Sequence, residues 1–322
     1  GRALRSLKRI PPVSGNNLQL TLDAKLQQIT EQAFGDRKGA LVAIEPSTGG
    51  ILALVSTPTY DPNLFVDGIT PENWKELNEH PSKPMVNRAI NGAYPPGSTF
   101  KPFMALAALE SGKRTPNQAI SDPGYFNFGN HQFRDDKKGG HGSVDMYKSI
   151  VHSCDTYYYM LANDMGIEAI AKFMGSLGLG QRTGVDLGKD DSGESKGVLP
   201  SPEWKKQRFK KPEQQKWYAG ETISIGIGQG YNAYTPIQLA QATATVANNG
   251  LMFRPHLVRH IADTKTGEKR LVEPKPIRDL QLKLGNIDVI RRAMVGVNKE
   301  GTGARAFAGA PYEAAGKTGT AQ

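Results

Sequence analysis

The sequence predicts an α+β fold: an antiparallel sheet flanked by helices, with an inserted helical lobe. Three observations carry the prediction. Strand-like stretches lie towards both ends of the chain, at 17–23 and 312–322. A pair of apolar runs around a Gly-rich turn, at 39–56, reads as a β-hairpin. Helix-period segments fill the region between them. Such a sheet is built from distant parts of the chain, and the boundary between sheet and lobe leaves a cleft where a site is expected. With 322 residues, 38% of them hydrophobic, the chain can bury a sizeable core as one large or two smaller domains.

In chain order, residues 1–16 are basic and Pro-containing and read as the end of an upstream pedestal or linker, cut from a longer protein. Asn17–Asp23 alternates as a strand. Asp23 then caps a helix over 24–34, with apolar spacing at Leu26, Ile29 and Ala33. The hairpin over 39–56 is expected centrally in the sheet. Residues 57–92 read as a polar connection rich in Pro and Asn.

Tyr94-Pro95-Pro96-Gly97 forces a turn, and an apolar run from Phe103 to Leu109 follows. Ser98 is therefore expected at the first turn of a helix, where Ser is a preferred cap. Pro102 fits there because the first turn does not use its missing N–H. Ser98 and Lys101 are three apart and share a helix face. A hydroxyl beside an amine at a helix N-terminus suits an activated nucleophile. The apolar segment after Lys101 should draw that lysine into a desolvated cleft.

Residues 111–142 read as turns, polar and aromatic. Helices follow at 144–152, 156–166 and 167–177, and residues 178–220 read as a charged loop. Glu221–Gln229 alternates as a strand. Thr235-Pro236 starts a helix to about Asn248. Strands are expected at 255–264 and 269–272, a helix at 287–297, and a final strand at 312–322.

The formal charge is +9. Part of it is the run Trp204–Lys211, read as a solvated loop in preference to a patch for an anionic polymer or membrane surface. No nucleic-acid-binding pattern accompanies it, so nucleic acid is not an expected partner. No apolar stretch approaches the roughly 20 residues of a membrane span. Cys154 is the single cysteine and forms no internal disulfide, so cysteine count leaves the compartment open.

Three short motifs fall in order: Ser98-Thr99-Phe100-Lys101, Ser153-Cys154-Asp155 and Lys317-Thr318-Gly319. Ser-x-x-Lys, Ser-Asp-Asn and Lys-Thr-Gly together mark class A β-lactamases and penicillin-binding proteins. Lys265-Thr266-Gly267 also reads Lys-Thr-Gly, but its charged neighbours make it an exposed turn. Longer stretches add specificity: 60–68, 86–89, 94–102, 140–142, 206–212, 226–231 and 317–322. The chain resembles the transpeptidase domain of class B penicillin-binding proteins of the elongation type, and the resemblance covers nearly all of it.

The resemblance implies a β-lactamase/transpeptidase-like fold, with the transpeptidase domain over 17–322 and further C-terminal strands missing. It implies that Ser98 attacks a D-Ala-D-Ala carbonyl and that Lys101 takes its proton, with a pKa lowered by burial and by the Lys317 cation. Ser153 relays a proton to the leaving nitrogen. Lys317 and Thr318 hold the substrate carboxylate on a strand that includes Gly319. The N–H groups of Ser98 and Thr320 form the oxyanion hole. Asp155 stands where Asn is usual and is kept as a site residue. The implied substrates are peptidoglycan stem peptides, with β-lactams as mimics. The implied partners are a SEDS-family glycan polymerase and elongation-complex proteins. The implied setting is the periplasm, with an inner-membrane anchor outside this chain.

No cofactor is expected for catalysis. A separate signal is the spacing of Asp122, Asp135, His141 and Cys154: carboxylate, imidazole and thiolate are zinc ligands, and four close a structural site. Asp136 competes with Asp135 as the ligand. Two alternatives remain, a β-lactamase-like hydrolase with Glu194 as its candidate base, and a β-lactam sensor domain.

Overall fold

The computed structural model describes residues 11–187 and 193–321. In chain order the elements are β1 (Asn17–Leu20), α1 (Ala24–Phe34), β2 (Gly39–Ile44), β3 (Ile51–Thr57), α2 (Pro71–Glu79), α3 (Lys101–Glu110), β4 (Ile120–Asp122), β5 (Tyr125–Phe128), β6 (His131–Arg134) and β7 (Gly142–Val144). Then come α4 (Met146–Val151), α5 (Asp155–Met165), α6 (Ile167–Ser176), α7 (Pro202–Arg208), α8 (Pro212–Gln215), α9 (Ala219–Ile225) and α10 (Pro236–Ala247). The remainder are β8 (Leu251–Phe253), β9 (Val258–Ala262), β10 (Lys269–Leu271), β11 (Pro276–Asp279), α11 (Leu284–Lys299) and α12 (Ala304–Phe307).

The expected mixture of helices and antiparallel strands is present, and distant segments do share a sheet: β1 pairs with β9, which pairs with β10, all antiparallel. The β2–β3 hairpin forms as expected but is not central. Among the described residues it pairs only within itself, apart from a bridge from Gly50 to His256. Thr21 fastens the two sheets, donating from its hydroxyl to Ile51 O (2.7 Å) and His256 O (3.1 Å). On the outer side, the Gln27 side chain of α1 bonds both the N–H and the C=O of Leu54 on β3.

The lobe is organised around α3. Lys101 to Leu109 are all buried, as expected of a helix apolar on every side. It packs with α5, α6 and α11, and the shared core includes Met104, Leu106, Ile150, Leu161, Ile170 and Ile290.

Several expectations needed correction. The connection 57–92 contains α2, started by the Thr70 cap and Pro71. The turn-rich stretch 111–142 contains β4, β5 and β6; β5 pairs with β6, and β4 pairs with β7, which begins at Gly142 and takes Val144 from the expected helix, and all are too short for period-2 reading. Glu221–Gln229 is not a strand: α9 occupies its first half, because Thr222, Ile223 and Ile225 bury one side and the Glu221 carboxylate accepts from Tyr218 N (2.9 Å). The Trp204–Lys211 run is not a solvated loop throughout. It forms α7, capped by Ser201, and Lys205 is 3% exposed, whereas Lys206, Arg208, Lys210 and Lys211 are exposed. The final strand is absent over 312–321. There the backbone is met by α11 and by a glutamine, through Gly316 N to Met294 O (3.0 Å) and Gln229 Nε2 to Thr320 O (3.0 Å), rather than by a ladder. Gln322 and most of the expected pedestal lie outside the described residues.

Candidate active site

Ser98 sits in a single 3₁₀ turn, Gly97–Phe100, that feeds directly into α3. It does not cap the helix as expected; Thr99 bonds back instead, its hydroxyl donating to Pro96 O (2.6 Å). Gly97 has φ +53°, and a Cβ there would lie 2.3 Å from Thr320 O. Only glycine allows this conformation and this approach cheaply. The approach brings residues more than 200 positions apart together: Gly319 likewise lies against Thr99 and Pro96.

Lys101 is fully buried. Its Nζ donates to Ser153 O (2.5 Å), Ser153 Oγ (3.2 Å) and Asp155 Oδ1 (2.6 Å), beside the Tyr158 ring. Lys317 Nζ donates to the same Ser153 hydroxyl (2.8 Å) and to Thr318 O (3.0 Å). Ser153 Oγ thus stands between two amines. The Ser153 backbone has φ +61°, strained for a residue with a Cβ. The turn is held by Cys154 N to Ser149 O (3.1 Å). Asp155 opens α5, where the helix N-terminus favours a carboxylate.

Burial and the neighbouring Lys101 charge lower the Lys317 pKa to about 7, while Asp155 and Asp136 oppose the shift. Thr318 shares a hydrogen bond with Thr302 (2.6 Å between hydroxyl oxygens). Sequence reasoning missed Thr302, although Gly301-Thr302-Gly303 is a small polar turn after a helix. It also missed Gln229, whose Gly-rich surroundings were absorbed into the mistaken strand.

The structure also brings together Asp122, Asp135, His141 and Cys154, with ligand atoms all within 4.8 Å of one another. His141 Nδ1 lies 2.8 Å from Asp122 Oδ2 and 3.3 Å from Asp135 Oδ1. The Cys154 sulfur is 3.4 Å and 3.5 Å from the same two carboxylates. Asp135, not Asp136, joins this group. Burial pushes the Asp136 carboxyl up to about 6, helped by Asp135 and Asp155. Asp135 is also buried, yet its pKa is lowered by hydrogen bonds from Asp136 and from the N–H groups of Thr156 and Lys137. Burial and the two carboxylates push the Cys154 thiol well up. Two carboxylates, an imidazole and a thiol crowded together out of water match a divalent cation, whose charge would offset the repulsion and favour the thiolate.

Glu194 is 3% exposed and accepts from Thr183 N (2.6 Å), Thr183 Oγ1 (2.7 Å) and Gly184 N (3.2 Å). That carboxylate fastens a loop. Lys265–Gly267 forms the exposed turn between β9 and β10, as expected.

Comparison with known proteins gives a consistent picture. The family described as penicillin binding protein transpeptidase domain matches residues 39–322. The chain is 44% identical over 328 aligned positions to the peptidoglycan D,D-transpeptidase MrdA of Escherichia coli K12, covering 100% of this chain and 50% of that protein. It resembles the crystal structure of Pseudomonas aeruginosa PBP2 in complex with WCK 5153 with a TM-score of 0.88 and 43% identity, covering 98% of this chain and 67% of that one. It also resembles the Helicobacter pylori complex of PBP2 with MreC, with a TM-score of 0.84 and 34% identity, covering 100% and 57% respectively. The chain spans about half the length of the curated relatives it matches.

Proposed function

The chain belongs to the penicillin-binding protein transpeptidase family, and from that premise we propose that it is the peptide-crosslinking domain of an elongation-type peptidoglycan D,D-transpeptidase. The observation that carries the reading is the meeting of Lys101 and Lys317 on Ser153 Oγ, beside the turn that holds Ser98.

In this reading Ser98 Oγ attacks the carbonyl carbon of a stem peptide's D-Ala-D-Ala bond while its proton passes to Lys101 Nζ. The N–H groups of Ser98 and Thr320 take up the oxyanion, an interaction worth about 3 kcal/mol per donor. Lys317 and Thr318 hold the terminal carboxylate. When the C–N bond breaks, Ser153 Oγ passes the proton to the leaving D-alanine nitrogen. The amine of a second stem peptide then attacks the Ser98 ester, loses a proton to Lys101, and restores the serine hydroxyl as the crosslink forms. Asp155 positions Lys101 by accepting a hydrogen bond from its Nζ (2.6 Å).

Asp122, Asp135, His141 and Cys154 would hold a structural zinc ion, which would tie β4, the loop after β6 and the Ser153 turn together. It would take no part in the serine chemistry itself. The MreC complex of the H. pylori relative supports a place among elongation proteins. A SEDS-family polymerase, a periplasmic setting and a membrane anchor outside this chain complete the proposal. Glu194, spent on three hydrogen bonds, gives a hydrolase reading no base.

The test is the intact mass after incubation with benzylpenicillin. One penicilloyl adduct is expected on the wild-type protein and none on Ser98→Ala. An adduct on Ser98→Ala removes that residue from the mechanism. Rapid loss of the wild-type adduct favours hydrolase over transpeptidase.

A further inference from the structure

The loop after α9 touches the site from both sides. Gly97 N donates to Gly228 O (3.0 Å), and the two backbones are so close that a Cβ on Gly228, at φ +75°, would lie 2.2 Å from Gly97 O. The next residue, Gln229, donates from Nε2 to Thr320 O (3.0 Å). Adjacent residues of one loop therefore fasten the two segments that carry the proposed oxyanion donors, the N–H groups of Ser98 and Thr320. Among the described residues nothing accepts from Thr320 N–H.

The loop is itself fixed. Gln229 N donates to Ser224 O (3.1 Å). Asn232, 1% exposed, donates from Nδ2 to Ile225 O (3.1 Å) and Gln229 O (3.0 Å), and its Oδ1 accepts from Tyr234 OH (2.7 Å). At the other end of α9, buried Lys205 bonds the Glu221 carboxylate (2.5 Å) and Lys216 O (2.8 Å), amid the rings of Trp217, Tyr218 and Tyr231. Glu221 also accepts from Tyr231 OH (3.0 Å). The basic run is thus partly an anchor: one of its cations ties α7 to α9.

We propose that Gln229 is a positioning residue for the oxyanion hole, its side-chain amide holding Thr320 in register with the nucleophile turn. This rests on the transpeptidase reading. The Gln229 side-chain hydrogen bond to Thr320 O is what links that residue to the loop. Oxyanion donors act only when held within a few tenths of an ångström of the developing charge. Loosening Thr320 should slow bond formation without weakening encounter, because Lys317 and Thr318 are untouched.

The test is stopped-flow acylation by a chromogenic cephalosporin. It compares wild type, Gln229→Met, which keeps length but loses the donor, and Gln229→Glu, which sets an anion against the Thr320 carbonyl. The first-order acylation constant is expected to fall about tenfold for Met and further for Glu. The non-covalent dissociation constant should stay within twofold, the melting temperature should change little, and the pH limbs should keep their positions. Unchanged acylation in both variants overturns the role, as does a loss confined to the dissociation constant or a displaced pH limb. A wild-type protein that never acylates overturns the transpeptidase reading and this one with it; normal wild-type acylation with unaffected variants overturns this one alone.

Discussion

Lys317 gives the sharpest test of how the site divides its work. Burial and the Lys101 ammonium bring its pKa to about 7. Its amine is therefore charged below that value and neutral above it. At pH 6 about nine-tenths of the molecules carry the charge, and at pH 8 about one-tenth. If the charged form holds the substrate carboxylate, the second-order acylation constant, which reports the free enzyme, should fall roughly tenfold across that interval. Any ascending limb belongs to the base that takes the Ser98 proton. Lys317→Arg keeps a cation at every working pH and should remove the descending limb, though its bulk lowers the plateau. Asp155→Asn deletes a carboxylate that sustains the Lys317 charge and should move the limb to lower pH. The assay is acylation by a carboxylate-bearing β-lactam from pH 5.5 to 9, beside the methyl ester of the same compound, which should show no descending limb. Acylation that climbs through pH 7 and levels, with the ester behaving identically, would mean that neutral Lys317 is the reactive form and would refute this division of roles.

Further outcomes follow from the same geometry. Metal analysis of the purified protein should give about one zinc per chain, and Cys154→Ser should lower both the zinc content and the melting temperature; zinc well below one per chain in the wild type removes the metal site. Gly97→Ala must force a Cβ into Thr320 O and adopt an unfavourable positive φ. Benzylpenicillin acylation should drop at least tenfold, and wild-type rates in this variant would show that the terminal segment need not approach the turn. Met104→Ala opens a cavity beside fully buried neighbours and should cost about 2–5 kcal/mol in urea unfolding; a loss below 1 kcal/mol would mean that α3 is not the centre of the lobe.

The elements legible in sequence were those whose signals are local. α1 begins and ends where Asp23 and the apolar spacing put it. α10 follows its Thr235-Pro236 cap. The β2–β3 hairpin follows its Gly-rich turn. The failures share a cause. The alternation in Ile223-Ser224-Ile225-Gly226-Ile227 suits a strand as well as a short helix, and it was the Glu221 contacts and burial of one face that chose the helix. The β4–β7 and β5–β6 strands are three or four residues long, below what periodicity resolves. Lys205 read as one more surface cation because no local pattern marks a lysine whose partner lies 16 residues ahead.

By itself the sequence determined which chemical groups the protein carries and in what order: a hydroxyl and an amine one helical turn apart, a second serine, a second amine, and four metal-type ligands. Covalent spacing and helix geometry are enough for that. Only the tertiary structure decided that both amines meet on Ser153, that burial lowers the Lys317 pKa, that Asp135 rather than Asp136 joins the ligand cluster, and that Gln229 tethers Thr320. Those outcomes depend on burial and on distances between segments more than a hundred residues apart in places, and neither quantity is written in local pattern.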